Sequence, residues 1–235
     1  MKPARWLKRT LSIFCALLVT ALLGVGGWYG YREVAARPIE RVAFSGDAPR
    51  FAPAQLDALA RSVLGLTSLT EARNRAKATP WVREAAVRRE YPDAIEIELE
   101  AYDVLARWND DALVSSRGEV FRAPFDGELP RLRAPDAMAA SVVRDFALVQ
   151  AALKPIASPI AEAVVSPRGA WHVTLESGLV LEVGRADIAQ RLERFAAAWP
   201  QLAAQGVQTS HADLRHANGF ALRRVAEVIP RTRKK

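Results

Sequence analysis

His172, His211 and His216 are the chain's three histidines, and they come first as candidates for metal binding or proton transfer. His211 and His216 stand five residues apart in a segment that reads as a strand. An odd separation on a strand sends side chains to opposite faces, which argues against a shared metal. Glu96, Glu98 and Glu100 alternate along another predicted strand, so their carboxylates share a face. Such carboxylates can do acid–base work. With no histidine or second acidic cluster in that segment, they read as the solvated side of a one-sided sheet. Asp110-Asp111 reads as a solvated turn. No G-x-S-x-G, phosphate loop or H-E-x-x-H occurs. The single cysteine, Cys15, excludes an intrachain disulfide, a zinc finger and an iron–sulfur site. No catalytic residue, metal or cofactor is expected.

The 235 residues suit one large or two small domains. The net charge of +7 is concentrated at the ends. Lys2, Arg5, Lys8 and Arg9 form an acid-free N-terminal tail (1–9). Arg231, Arg233, Lys234 and Lys235 form an acid-free C-terminal tail (231–235). Without them, 25 bases face 26 acids. A body that tracks nucleic acid is therefore not expected.

From Thr10 to Tyr31, 22 residues carry no charge. About 20 apolar residues cross a bilayer core. Trp28, Tyr29 and Tyr31 sit where interfacial aromatics belong, and the basic tail before the span should stay in the cytoplasm. The reading is a retained transmembrane helix over 10–31, with the rest of the chain exported. The rival is a cleaved signal peptide with a small-residue site at Val34-Ala35-Ala36. Gly26 and Gly30 have G-x-x-x-G spacing, which in a glycine-rich stretch need not mean helix pairing.

After the span the pattern is α+β. Pro38–Phe44 alternates as a strand. Pro53 opens a helix that Gly65 stops. Ser68 with Glu71 begins a second helix in a capping-box pattern, ended by Thr79-Pro80. Val82–Glu90 and Ala94–Tyr102 form a hairpin about Tyr91-Pro92-Asp93, with Ile95, Ile97 and Leu99 as the buried face. Residues 37–102 thus read β-α-α-β-β, helices packed on a three-stranded sheet. Beyond, turns at Ser116-Arg117-Gly118, Pro167-Arg168-Gly169 and Ser177-Gly178 predict hairpins. Helices are expected over Ala137–Leu153 and Asp187–Leu202, the latter with an apolar stripe of Ile188, Leu192, Phe195, Trp199 and Leu202. Val207–Arg215 and Phe220–Val228 read as final strands around Asn218-Gly219. The expected second domain is a mostly antiparallel sheet with two helices. A tether with two exported modules suits a recruiting scaffold. A membrane-anchored enzyme with an unrecognised site is the alternative class.

Several landmarks, in order across nearly the whole chain, carry a resemblance: Pro80-Trp81-Val82, Val87-Arg88, Tyr91-Pro92-Asp93, Ala106-Arg107-Trp108-Asn109, Gly184-Arg185 with Asp187, and Asp213-Leu214-Arg215. Together with the architecture, they resemble the FtsQ/DivIB family of bacterial cell-division proteins. The resemblance implies a POTRA domain over 37–106 and a β domain over 107–230. It implies a non-enzymatic scaffold of the divisome, single-pass in the inner membrane at the septum, N-terminus cytoplasmic, linking early and late division proteins. Its implied partners are FtsB and, through it, FtsL, bound by the periplasmic β domain. Other divisome membrane proteins would meet the POTRA domain and the span. Neither nucleic acid nor a small-molecule substrate is implied. A POTRA-type assembly or secretion adaptor of the outer membrane is the second alternative. In the resemblance, FtsB adds a strand to the C-terminal edge of the β domain, and the matched partner-binding residues are Arg185, Arg215, His216, Asn218, Gly219, Phe220, Ala221 and Leu222. Trp81, Arg88, Pro92, Arg107 and Trp108 are the matched structural positions of the POTRA domain and the junction. The chain departs from the family at His216, where Tyr is common, and at Arg223-Arg224, where an aromatic often follows.

Overall fold

The computed structural model describes residues 17–28, 37–205, 207 and 209–224. Helix α1 covers residues 17–28, with Leu17, Leu22, Leu23 and Trp28 more than half exposed. No helix among the described residues is long and apolar enough to cross a membrane. Residues 10–16 and 29–31 of the expected span lie outside the described residues, as do both basic tails. The rest of the chain forms two compact units divided between Tyr102 and Asp103.

The first unit contains β1 (Arg41–Gly46), α2 (Pro53–Val63), α3 (Leu69–Lys77), β2 (Val82–Glu90) and β3 (Ala94–Ala101). The sheet order is β1-β3-β2, with β1 parallel and β2 antiparallel to the central strand. Ile95, Ile97 and Leu99 are fully buried with Leu59 and Val63 of α2 and Ala72 and Ala76 of α3. Ser68 caps α3 by accepting from the Glu71 amide (3.3 Å). Glu71 completes no box. Its carboxylate pairs with Arg75 (2.5 Å) instead. The first strand begins later than its alternation suggests. Ile39 exchanges backbone hydrogen bonds with Leu66 and Gly65 of the α2–α3 connection, while the Glu40 amide donates to the Asp93 carbonyl at the β2–β3 turn (2.8 Å).

The second unit contains β4 (Val104–Trp108), β5 (Ala112–Ser115), β6 (Val120–Phe121), β7 (Arg131–Arg133), α4 (Ala139–Leu153), β8 (Ile160–Val165), β9 (Trp171–Leu175), β10 (Val180–Gly184), α5 (Ile188–Ala204), β11 (Thr209–Asp213) and β12 (Ala221–Arg224). Among the described residues these strands form one nine-stranded sheet, ordered β12-β11-β10-β9-β8-β7-β4-β5-β6. The three expected hairpins are present. The sheet is mixed rather than simply antiparallel, because β4–β7, β7–β8 and β10–β11 pair in parallel. The last two follow from chain geometry. A helix between two strands carries the chain back to its starting end, so the next strand runs parallel. Helix α4 does this between β7 and β8, and α5 between β10 and β11. The unit's core gathers Trp108, Leu132, Phe146, Trp171, Leu181, Leu192 and Phe195, all buried.

The two units divide between Tyr102 and Asp103, and β4 pairs with β5 and β7, so residues 104–106 lie in the larger sheet together with Arg107 and Trp108.

Candidate functional site

The motifs occupy backbone positions with unusual demands. Gly184 has φ +82. A Cβ there would lie 2.8 Å from Arg191 Nη1 and 3.2 Å from Arg215 Cγ. Glycine therefore permits both the left-handed turn that ends β10 and the passage of two arginines over it. Asp187 is also left-handed (φ +52) and caps α5, its carbonyl accepting from the Arg191 amide (2.9 Å). The Arg191 guanidinium donates to the Val183 carbonyl (2.8 Å), locking helix to strand.

Asp213-Leu214-Arg215 ends β11. Leu214 is buried, and its amide donates to the Glu182 carbonyl (2.8 Å), extending the parallel pairing with β10. Arg215 turns back along the polar face. Its Nε and Nη2 donate to the two oxygens of Asp213 at 2.9 and 2.7 Å. Nη2 also approaches Glu182 Oε2 (3.1 Å), whose other oxygen is 3.1 Å from His211 Nε2. Hydrogen bonds from Arg215 hold the Asp213 carboxyl well below the usual carboxylate range, and Asp213 raises the arginine in return. The Asp213 hydrogen bonds use Nε and Nη2 of Arg215 and leave Nη1 without a hydrogen bond to a carboxylate among the described residues. Arg185, one residue beyond β10, is exposed and unpaired among them. Because β10 and β11 are parallel neighbours, both arginines emerge at one end of the sheet.

The remaining partner-binding candidates line the route to the edge. His216 and Asn218 are exposed in the turn after β11. His216 is therefore not on a strand, and the opposite-face argument does not apply to it. His211 is on β11 and pairs with Glu182. No three histidine, cysteine or carboxylate side chains among the described residues converge as metal ligands. Gly219 leads to Phe220, which packs edge-on against Phe195 with ring centroids 5.1 Å apart. Leu222 pairs with Ala212 and packs on the core, while Ala221 is exposed opposite Asp213. Strand β12 is the terminal strand of the sheet, with β11 as its one neighbour among the described residues.

Of the five structural positions, Trp81 and Arg107 are half-buried, Trp108 is buried, and Arg88 and Pro92 are exposed. Trp81 has φ +73 and lies partly buried against the first unit's core. Arg88 on β2 pairs with Glu96 on β3, and Pro92 follows a cis Tyr91–Pro92 bond at the hairpin. Arg107 donates to the carbonyls of Phe125 and Gly127 and lies 5.8 Å from the Phe125 ring. Trp108 donates its indole N–H to Asp136 (2.7 Å), joined there by Asn109 (3.2 Å). The sequence reading missed Glu182, Arg191 and Asp136. Their signals are weak, since each is an ordinary polar residue until the pairing of strands brings it to its arginine or tryptophan.

An open cleft of about 1180 Å³ in the second unit is lined by Arg107, Arg131, Lys154 and Glu162 among others. Its Ser158 hydroxyl accepts from the Ser177 amide (3.2 Å), and Glu162 accepts from Arg133 (2.8 Å).

The FtsQ/DivIB C-terminal domain family matches residues 106–215, and the FtsQ-type POTRA family matches residues 38–102. Over 231 residues the chain is 33% identical to the cell division protein FtsQ of Xanthomonas campestris, covering 93% of this chain and 82% of the relative. It is 36% identical to that of Shewanella oneidensis over 79% of this chain and 73% of the relative. With that of Allochromatium vinosum it shares 33% identity over 91% and 89%. Two domain matches in order and relatives aligned over most of their length leave one conclusion: the chain belongs to the FtsQ family of non-enzymatic cell-division proteins.

Proposed function

We propose that this chain is an inner-membrane divisome scaffold that binds FtsB, and through it FtsL, by accepting a strand along β12. The observation that carries this reading is the position of β12 at the end of the nine-stranded sheet among the described residues. An edge strand leaves a row of backbone N–H and C=O groups that an added strand satisfies. Backbone pairing alone selects weakly, because every strand offers the same groups. Arg185 and Nη1 of Arg215 stand at the adjacent sheet end, and their planar guanidinium groups suit a partner carboxylate. The uncharged run over 10–31 and the exposed apolar face of α1 support a retained anchor, N-terminus inside and both units periplasmic at the septum. The first unit would then meet other division proteins.

The test is calorimetric titration of the full chain in detergent with an FtsB-derived peptide, with circular dichroism to verify folding. Arg215→Glu should weaken binding on the order of tenfold by repelling the partner carboxylate. Proline at positions 220 to 222 should weaken it only where the backbone N–H faces outward, since proline lacks that donor. Unchanged affinity in the charge reversal and in every folded proline variant places the binding surface elsewhere.

A further inference from the structure

We propose that Arg223 selects a carboxylate on the strand that pairs with β12, so that the bound segment alternates apolar residues with an acid set beside Arg223. The proposal rests on strand addition at β12.

Side chains alternate across β12. Phe220 and Leu222 turn to the core face, half-buried, Phe220 edge-on against Phe195 and Leu222 against the core. Ala221 and Arg223 turn to the opposite, polar face, where register sets them against Asp213 and His211. The acids of that face are already engaged. Asp213 is held by Arg215, and Glu182 by Arg215 and His211. Arg223 is exposed and has no ion pair among the described residues. Its cross-strand neighbour His211 offers no negative charge.

Among the described residues, no strand lies on the side of Arg223 away from β11. Directly opposed side chains on neighbouring strands have Cβ atoms about 4.5–5.5 Å apart, close enough for a charge pair to form. A strand added there therefore sets one side chain beside Arg223. A carboxylate at that position is attracted, and a cation is repelled by Arg223. The next residues along the added strand fall on the other face, against Phe220 and Leu222, where apolar side chains bury best. An arginine on the edge also restrains indiscriminate strand pairing, as edge charges commonly do. Arg223 thus rejects bare hydrophobic strands and admits acidic ones.

The experiment titrates the full chain in detergent with the FtsB-derived peptide and with versions in which each acidic residue is changed in turn to lysine. Arg223→Glu should weaken the unmodified peptide about tenfold. One lysine peptide should restore binding to Arg223→Glu but not to Arg185→Glu. Arg223→Gln, closer in size, should show a smaller loss. If Arg223→Glu binds normally while proline at positions 220 to 222 disrupts binding, the selection by Arg223 is refuted and strand addition stands. Loss in Arg223→Glu that no lysine peptide restores also refutes the charge pairing. Failure of the unmodified peptide to bind the unaltered chain removes strand addition, and this proposal with it.

Discussion

Replacing Trp108 tests how the second unit holds together. Its indole is 1% exposed at the end of β4, between Ala112 of β5 and Leu132 of β7. The ring N–H donates to Asp136 (2.7 Å), the first residue of the short turn that leads into α4. Trp108 therefore fastens the middle of the sheet to the start of the crossover helix. In Trp108→Phe, two buried ring carbons are lost with the ring nitrogen, the carbons at roughly 0.8 kcal/mol each, or about 2 kcal/mol. The lost hydrogen bond adds about 1 kcal/mol, at the modest end because Asp136 is exposed and still accepts from Asn109. The expected loss is about 3 kcal/mol, and Trp108→Ala should cost about 3–5 kcal/mol or more. The assay is urea unfolding of the full chain followed by circular dichroism, with hydrogen exchange of the α4 amides as the local readout. Asp136→Ala combined with Trp108→Phe should cost less than the two single losses together, because they share one bond. A Trp108→Phe loss within about 0.5 kcal/mol, the level of an ordinary surface change, would refute the reasoning.

Other expectations follow from single observations. Gly118 has φ +82, and a Cβ there would lie 2.4 Å from the Ala140 Cα, so Gly118→Ala must displace backbone and should lower the melting temperature of the second unit more than Gly169→Ala, which has open space. Glu84 is lowered to about 2 by hydrogen bonds from Arg73 and then Lys77. Because its folded value lies below its ordinary one, the stability it contributes is present above about pH 4.5 and is lost as pH falls toward 2. Carboxyl NMR should show this titration moving back up in Arg73→Ala, and an unmoved value would remove Arg73 as the cause. Asp213 follows the same sign, its contribution lost progressively as pH falls below the ordinary carboxylate range, and Arg215→Ala should return its carboxyl toward that range. A fragment spanning residues 37–102 should unfold cooperatively alone, having its own core, and a gradual, non-cooperative transition counts against that. Intact mass of the membrane-bound protein should begin at the N-terminal basic tail, and a start near Arg37 would mean the span is cleaved.

The amino-acid sequence by itself determined the local elements and the motif positions. Alternation set Ile95, Ile97 and Leu99 inward, and turn residues placed the hairpins at Gly118, Gly169 and Gly178, each of which adopts a positive φ. Ser68 caps its helix, though Glu71 pairs with Arg75 instead of closing the capping box that the spacing implies. These features arise within a few residues, where side-chain chemistry and backbone sterics act directly. Only the tertiary structure decided how the strands are ordered. Local pattern records which face of a strand is apolar but not which strand lies beside it, so the parallel β10–β11 pair was not legible. That pairing makes Glu182 the neighbour of Asp213 and brings Arg215 onto both. It also leaves β12 at the end of the sheet among the described residues, with Arg223 exposed. The carboxylates that hold Arg215 lie 33 residues back along the chain at Glu182 and two back at Asp213. A contact spanning helix α5 follows from the path of the crossover, which long-range packing sets.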